Sequence, residues 1–382
     1  MTTRREVLKG LGGAAIASAF AGAAAAARSA SPRPIWPRYG AAPVIDGAGG
    51  VNLFWYGPDD PAVPGELAAI RASGLTAVVL TLAPSGRFWL DDAAFEKTKA
   101  NFDTWHAIVA RHPDHLMMIR TADDLDRARR EHRLGLICTF QGTESLGEDL
   151  DRLTMFRERG LRVLQLTHNR RNLVGDGCME PGNAGLSNFG HDMIARIEAE
   201  KIVLDLAHGA PRTMAEGVAA AHRPMLISHT GCRALADLPR NTDDATLRAL
   251  AGKGGVAGMI FWPYLRTDTQ PMAEDLIRHI EHAIDVAGED HIGLGTDGGV
   301  APIERTPEFE KDNREWVAAS VADGIFGPGR PPDLYTFIPD LNHADRFDRL
   351  AFLLSKRGHS DARIEKVLGA NFARVMREVW DG

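Results

Sequence analysis

The sequence predicts a single distorted (β/α)8 barrel of the TIM type, closed by C-terminal helices. Three observations point there. Short apolar runs bounded by turn residues recur along the chain and alternate with segments of helical periodicity, the pattern of strands buried on both faces of a parallel sheet. Most of these runs end in a polar side chain: Asp46, Gln141, His168, His208, His229 and Asp297 stand at successive strand ends, the edge on which such barrels carry their chemistry. No internal repeat of fixed period and no long linker divides the chain, so one domain is expected.

The elements follow in order. Residues 43–47 read as a first strand ending at Asp46, residues 66–73 as a helix, and 76–82 as a strand rich in β-branched residues. A helical pattern over 91–111 precedes a short strand at 116–120. Thr121 and Asp124 make a capping pair for the next helix, through Arg130. The run 134–140 ends at Gln141, with Glu144 just beyond, and the run 163–167 ends at His168. Residues 169–188, full of Gly, Asn and Asp, form a long loop of the kind that usually carries function. The runs 202–208 and 224–229 flank an alanine-rich helix and end in His208 and His229. As parallel neighbours they would bring two imidazoles to one cleft, a candidate metal site. The chain continues through strands 255–261 and 291–296, the latter ending at Asp297, then an irregular, proline-studded segment at 308–338, and helices 345–357 and 360–379.

The amino terminus is distinct. Arg4 and Arg5 precede an alanine- and glycine-rich apolar run to Ala27, resembling a bacterial twin-arginine export signal. Residues 1–27 are therefore read as the signal and 28–382 as the mature domain, destined for the periplasm; an uncleaved signal would tether it to the membrane. A formal charge of −7 with no dominant basic patch argues against nucleic acid as a partner. The cysteines at 138, 178 and 232 are too few and scattered for a disulfide framework, though a bridge between Cys178 and Cys232 is conceivable in an oxidising compartment. Gly293-Leu294-Gly295 lacks the context of a dinucleotide loop.

Several ordered stretches together resemble the membrane (renal) dipeptidase family of amidohydrolase-like metallohydrolases. They are Val44-Ile45-Asp46-Gly47, Leu166-Thr167-His168-Asn169, Gly185-Leu186-Ser187-Asn188-Phe189-Gly190, Leu204-Asp205-Leu206-Ala207-His208, Ile227-Ser228-His229, Arg240-Asn241-Thr242-Asp243-Asp244, Gly293-Leu294-Gly295-Thr296-Asp297 and Gly369-Ala370-Asn371-Phe372-Ala373-Arg374-Val375. The resemblance implies a two-zinc site: a His-x-Asp pair after the first strand, a bridging Glu, and two later histidines. The later pair is here as His208 and His229. In place of the His-x-Asp pair stand Ala48 and Gly50, and Gln141 takes the bridging position, so one zinc is expected, or none. Gln141, Glu144 or Asp46 could complete its shell. By the same resemblance His168 would stabilise the oxyanion and bind substrate, Arg240 would clamp a substrate carboxylate, Asp297 would pass a proton to the leaving amine, and the protein would be a homodimer. The expected function is a hydrolase of dipeptides or small amides. Two alternatives stay open: a metal-free pseudoenzyme or binding protein that keeps the pocket, and a hydrolase of a lactam or N-acyl amino acid.

Overall fold

The structure, a computed structural model, describes residues 36–83, 92–322, 325–326 and 330–382. The export signal lies outside the described residues. Every strand pairing in the sheet is parallel. The staves are β1 (Ile45–Gly50), β2 (Ala77–Thr81), β4 (Leu134–Gln141), β5 (Leu161–Gln165), β6 (Val203–Asp205), β7 (Leu226–Thr230), β8 (Val256–Ile260) and β9 (Ile292–Gly295), hydrogen-bonded in that order. β3 (Leu116–Met118) stands off this path and pairs only with the start of β4, while β10 (Gly298–Gly299) extends the other edge beside β1. The expected barrel is present, and the outlying β3 is its main distortion.

The burial pattern explains the parallel sheet. Every residue of β4, β7 and β8 is buried, as strands covered by helices outside and packed side chains inside must be. Two glycines allow β8 and β9 to crowd β7. A Cβ at Gly258 would sit 2.0 Å from the Ser228 carbonyl oxygen, and one at Gly295 would sit 2.3 Å from it. Below, Phe372 of the helix Asn371–Asp381 clusters with Ile45, Ala77, Val203, Leu226 and Val256 near the strand starts, and so plugs the barrel floor. Thr121 and Asp124 form a complete capping box: the Thr121 hydroxyl accepts from the Asp124 N–H at 3.3 Å, and the Asp124 carboxylate accepts from the Thr121 N–H at 3.0 Å.

One expectation is corrected. The segment read as irregular contains a helix, Pro307–Ala322. Phe309, Asn313, Val317 and Ser320 are its buried residues, at the spacing of one helical face, and Pro307 sits in the first turn, where a missing N–H costs nothing. The helix-breaking prolines lie farther along, at 327–339, and their composition masked the helix before them.

Candidate metal centre and substrate pocket

The backbone itself aims the central side chains. His208 follows β6 with φ +62°, and Asp297 follows β9 with φ +52°, left-handed conformations that a non-glycine residue holds only when its surroundings fix it. The fixing contacts are visible. The Cys178 N–H donates to the His208 carbonyl at 2.6 Å, tying the 169–188 loop beneath the site. Gly177 makes that approach feasible, since a Cβ there would lie 1.9 Å from the His168 carbonyl oxygen. The Asp297 N–H donates to the Ala48 carbonyl at 2.7 Å, and its own carbonyl accepts from the Trp262 indole at 2.8 Å.

The two strand-end histidines meet. His208 Nε2 and His229 Nε2 are 3.0 Å apart, and both rings are buried. Their outer nitrogens determine which atoms carry protons. The Asn169 side-chain oxygen, an acceptor only, takes a hydrogen bond from His208 Nδ1 at 2.8 Å. The Ser228 hydroxyl donates to Asp205 Oδ2 at 2.5 Å, so its oxygen accepts from His229 Nδ1 at 2.8 Å. Each Nε2 therefore presents a lone pair to the other, an arrangement that a shared cation stabilises. Burial, with the Arg240 guanidinium nearby, holds both imidazoles well below their usual range, so both rings are neutral.

Around this pair stand three further groups. Asp297 Oδ2 lies 3.9 Å from His229 Nε2, and donor atoms of His208, His229 and Asp297 all fall within 4.8 Å of one another. Burial raises the Asp297 carboxyl to about 6, against the lowering effects of Arg240 and a hydrogen bond from the Gln141 amide. His168 stacks on His208 with ring centres 4.2 Å apart, and burial beside Arg240 lowers it to about 3. Arg240 is buried under a pinned loop: Asn241 accepts from the Gly231 N–H and donates to the carbonyls of Ala236 and Tyr264. Among the described residues, the Arg240 Nε and Nη2 have no hydrogen-bond partner, while the guanidinium lies 6.0 Å over the Tyr264 ring. A buried guanidinium with two nitrogens unsatisfied is costly to keep, and an anionic ligand would relieve it.

A family model described as "Membrane dipeptidase (Peptidase family M19)" matches residues 58–309. The chain belongs to the membrane dipeptidase family. It is 26% identical over 294 residues to Dipeptidase verJ of Clonostachys rogersoniana, covering 75% of this chain and 67% of that one. An amidohydrolase from Pseudomonas aeruginosa shares 26% identity with a TM-score of 0.73, over 90% of this chain and 98% of its own. A metallopeptidase from Rhodobacter sphaeroides, solved with a phosphinate mimic of the dipeptide L-Ala-D-Ala, shares the fold at 19% identity and a TM-score of 0.71, over 89% of this chain and 99% of its own.

Membrane dipeptidases are metallopeptidases, and the residues here fit one cation better than two. His208, His229 and Asp297 supply two imidazole nitrogens and a carboxylate, a donor set suited to zinc. The other position does not fit. Ala48 and Gly50 have no donor atoms, and the amide of Gln141 hydrogen-bonds to Asp297.

Two of the replacement ligands that the sequence admitted are not brought to the pair. Asp46 is engaged elsewhere: its Oδ1 accepts from the Thr296 N–H at 2.8 Å and the Ala48 N–H at 3.2 Å, and its Oδ2 from the Thr296 hydroxyl at 2.5 Å. Glu144 folds back over Gly142, where an added Cβ would meet its Oε2 at 2.1 Å. The three cysteines are free thiols. Cys178 Sγ reaches Asn169 Oδ1 at 3.3 Å and Cys232 Sγ the His279 carbonyl at 3.4 Å, so the conceivable bridge between them does not form. Sequence reasoning gave no role to Asn169, Ser228 or Asp205, although Asn169 and Ser228 each adjoin a site histidine in the chain. Tyr264 and Trp262 were also missed, and their position just past the end of β8 was the available signal.

Proposed function

We propose that this protein is an exported hydrolase of dipeptides or similar small amides that works with one cation, zinc by its donor set. The observation that carries this reading is the convergence of His208, His229 and Asp297 on one point near the buried Arg240, whose Nε and Nη2 have no partner among the described residues. A dication bound there would lower the pKa of its water toward neutrality and polarise the scissile carbonyl. The chain's own residues supply the rest. Arg240 takes the substrate carboxylate in a bidentate grip and fixes the register of the amide. His168, neutral and packed flat on His208, donates to the oxygen that gains charge as the carbonyl becomes tetrahedral. Asp297, a carboxylate above its pKa of about 6, takes a proton from the attacking water and passes it to the leaving nitrogen. Asn169 and the Ser228–Asp205 pair keep both Nε2 lone pairs inward.

Elemental analysis of protein purified without chelator tests the reading. The expected result is about one equivalent of a transition metal, and activity that chelation removes and that metal restores. Substoichiometric metal with no restoration would favour a pocket that binds without catalysis, a reading that the replacements at Ala48, Gly50 and Gln141 keep alive. The Arg4-Arg5 signal supports periplasmic delivery by the twin-arginine route, which suits a protein that loads its metal before export, and cell fractionation with and without an Arg4→Lys, Arg5→Lys change tests it. A homodimer is part of the proposal, to be checked by sedimentation.

A further inference from the structure

A cavity opens where the family's other cation would be held. It descends from the strand ends into the barrel, and Ala48, Gly50, Gln141 and Asp297 line its wall. The rest of the lining is mostly apolar. Phe54, Trp55, Leu82, Trp105, Ile338 and Leu341 face it, with Phe54 stacked on Trp105 at 5.7 Å. The space is real at its most telling point, because a Cβ added to Gly50 would meet nothing closer than the Gly298 carbonyl oxygen at 4.0 Å.

Arg240, His168, His208 and His229 are not part of this lining, whereas Asp297 borders both the cavity and the histidine pair. A substrate with its carboxylate on Arg240 and its scissile carbonyl at the histidine pair must therefore send the acyl side of its amide past Asp297 into the cavity. The charges there do not favour a free α-ammonium. Among the described residues three charged groups line the wall: the Asp297 carboxylate is already hydrogen-bonded by Gln141, Asp205 is engaged by Ser228 and Ala207, and Arg346 is a cation held by the backbone carbonyls of Gly299 and Val300.

Building on the hydrolase reading, we propose that the place of the missing cation is an apolar acyl subsite and that the preferred substrates are N-acyl amino acids with a bulky aryl or alkyl acyl group. Water adds across the amide C–N bond: the acyl carbon gains the hydroxyl and leaves as a carboxylic acid, and the nitrogen gains the hydrogen and leaves as the free amino acid. No other reactant is needed.

The test compares N-benzoylalanine, N-acetylalanine and Phe-Ala on the metal-loaded protein, by kcat/KM and, independently, by calorimetric binding to the chelated protein, where turnover is suppressed. Burying a phenyl group is expected to favour N-benzoylalanine over N-acetylalanine by about ten- to hundredfold. N-benzoylalanine should also surpass Phe-Ala, which carries a comparable ring plus a charge. In Gly50→Leu the benzoyl-to-acetyl ratio should collapse toward one, because the new side chain occupies the same space. Phe-Ala equal to or better than N-benzoylalanine, or a benzoyl-to-acetyl ratio near one in the unmodified protein, would overturn the subsite while leaving an amide hydrolase standing. The full binding gradient without turnover of any probe would sustain the subsite and remove the hydrolase reading instead.

Discussion

Thr296 donates both its backbone N–H and its hydroxyl to the carboxyl of Asp46, 250 residues earlier, at 2.8 and 2.5 Å. The contact joins the end of the last stave to the first and leaves Asp46 as part of the barrel closure, away from the metal donors. It also sets a titration. Burial, outweighing the hydrogen bonds from Thr296 and Ala48, raises the Asp46 carboxyl to about 7 from an ordinary 3.8. The folded state thus holds a proton that the unfolded chain releases. The stability this contributes is fully present below about pH 4 and is lost as pH rises through about 7. In Asp46→Asn, which imitates the protonated form, the Tm deficit relative to the unmodified protein should shrink between about pH 4 and 7 and level off above that. A deficit constant across that range would contradict the assignment.

Asp297 should govern the pH dependence of metal uptake. Its carboxyl sits at about 6, while both imidazoles are neutral until far lower pH. A proton and a cation compete for the carboxylate, so affinity should fall about tenfold per pH unit below 6 and level off above it. Calorimetric titration with Zn2+ measures this. The limb should be absent in Asp297→Asn, and its survival there would assign it to another group.

Arg240 couples stability to function. Its Nε and Nη2 have no partner among the described residues. Arg240→Met should therefore stabilise the folded protein by about 1 kcal/mol or more, because replacing a poorly compensated buried charge with an apolar side chain of similar length is often favourable. The same change should weaken substrate binding by about thirtyfold or more, with the loss appearing in KM, since a buried charge-assisted pair is worth about 2–5 kcal/mol. Thermal melts and steady-state kinetics on the variant check both halves. A destabilised variant would mean that the guanidinium has structural partners of its own.

Rebuilding the family pattern should restore a second cation. The combined change Ala48→His, Gly50→Asp and Gln141→Glu returns two donors at the end of β1 and a bridging carboxylate at the end of β4. Elemental analysis should then give two equivalents where the unmodified protein gives one. Gln141→Glu alone should not suffice, because a second carboxylate beside Asp297 raises the pKa of one of the two unless a cation stands between them. One equivalent in the triple variant would indicate that the backbone at 48–50 no longer presents side chains to the site.

Much of this was open to reading along the chain. Apolar runs mark strands buried on both faces, whatever lies beside them, and a parallel barrel places the polar residue after each run on a single edge. His168, His208, His229 and Asp297 could thus be named as candidate site residues, and Ala48, Gly50 and Gln141 picked out as departures from the family pattern, because donor chemistry belongs to the residue itself. The tertiary structure decided what depends on separation in space. It determined that the two Nε2 atoms face each other at 3.0 Å, that Asn169 and Ser228 orient their lone pairs, that Asp46 serves Thr296, and that the positions without donors enclose an apolar cavity. These contacts join residues tens to hundreds of positions apart. A hydrogen bond depends on a few tenths of an ångström and on direction, which packing of the whole barrel sets and local periodicity does not encode.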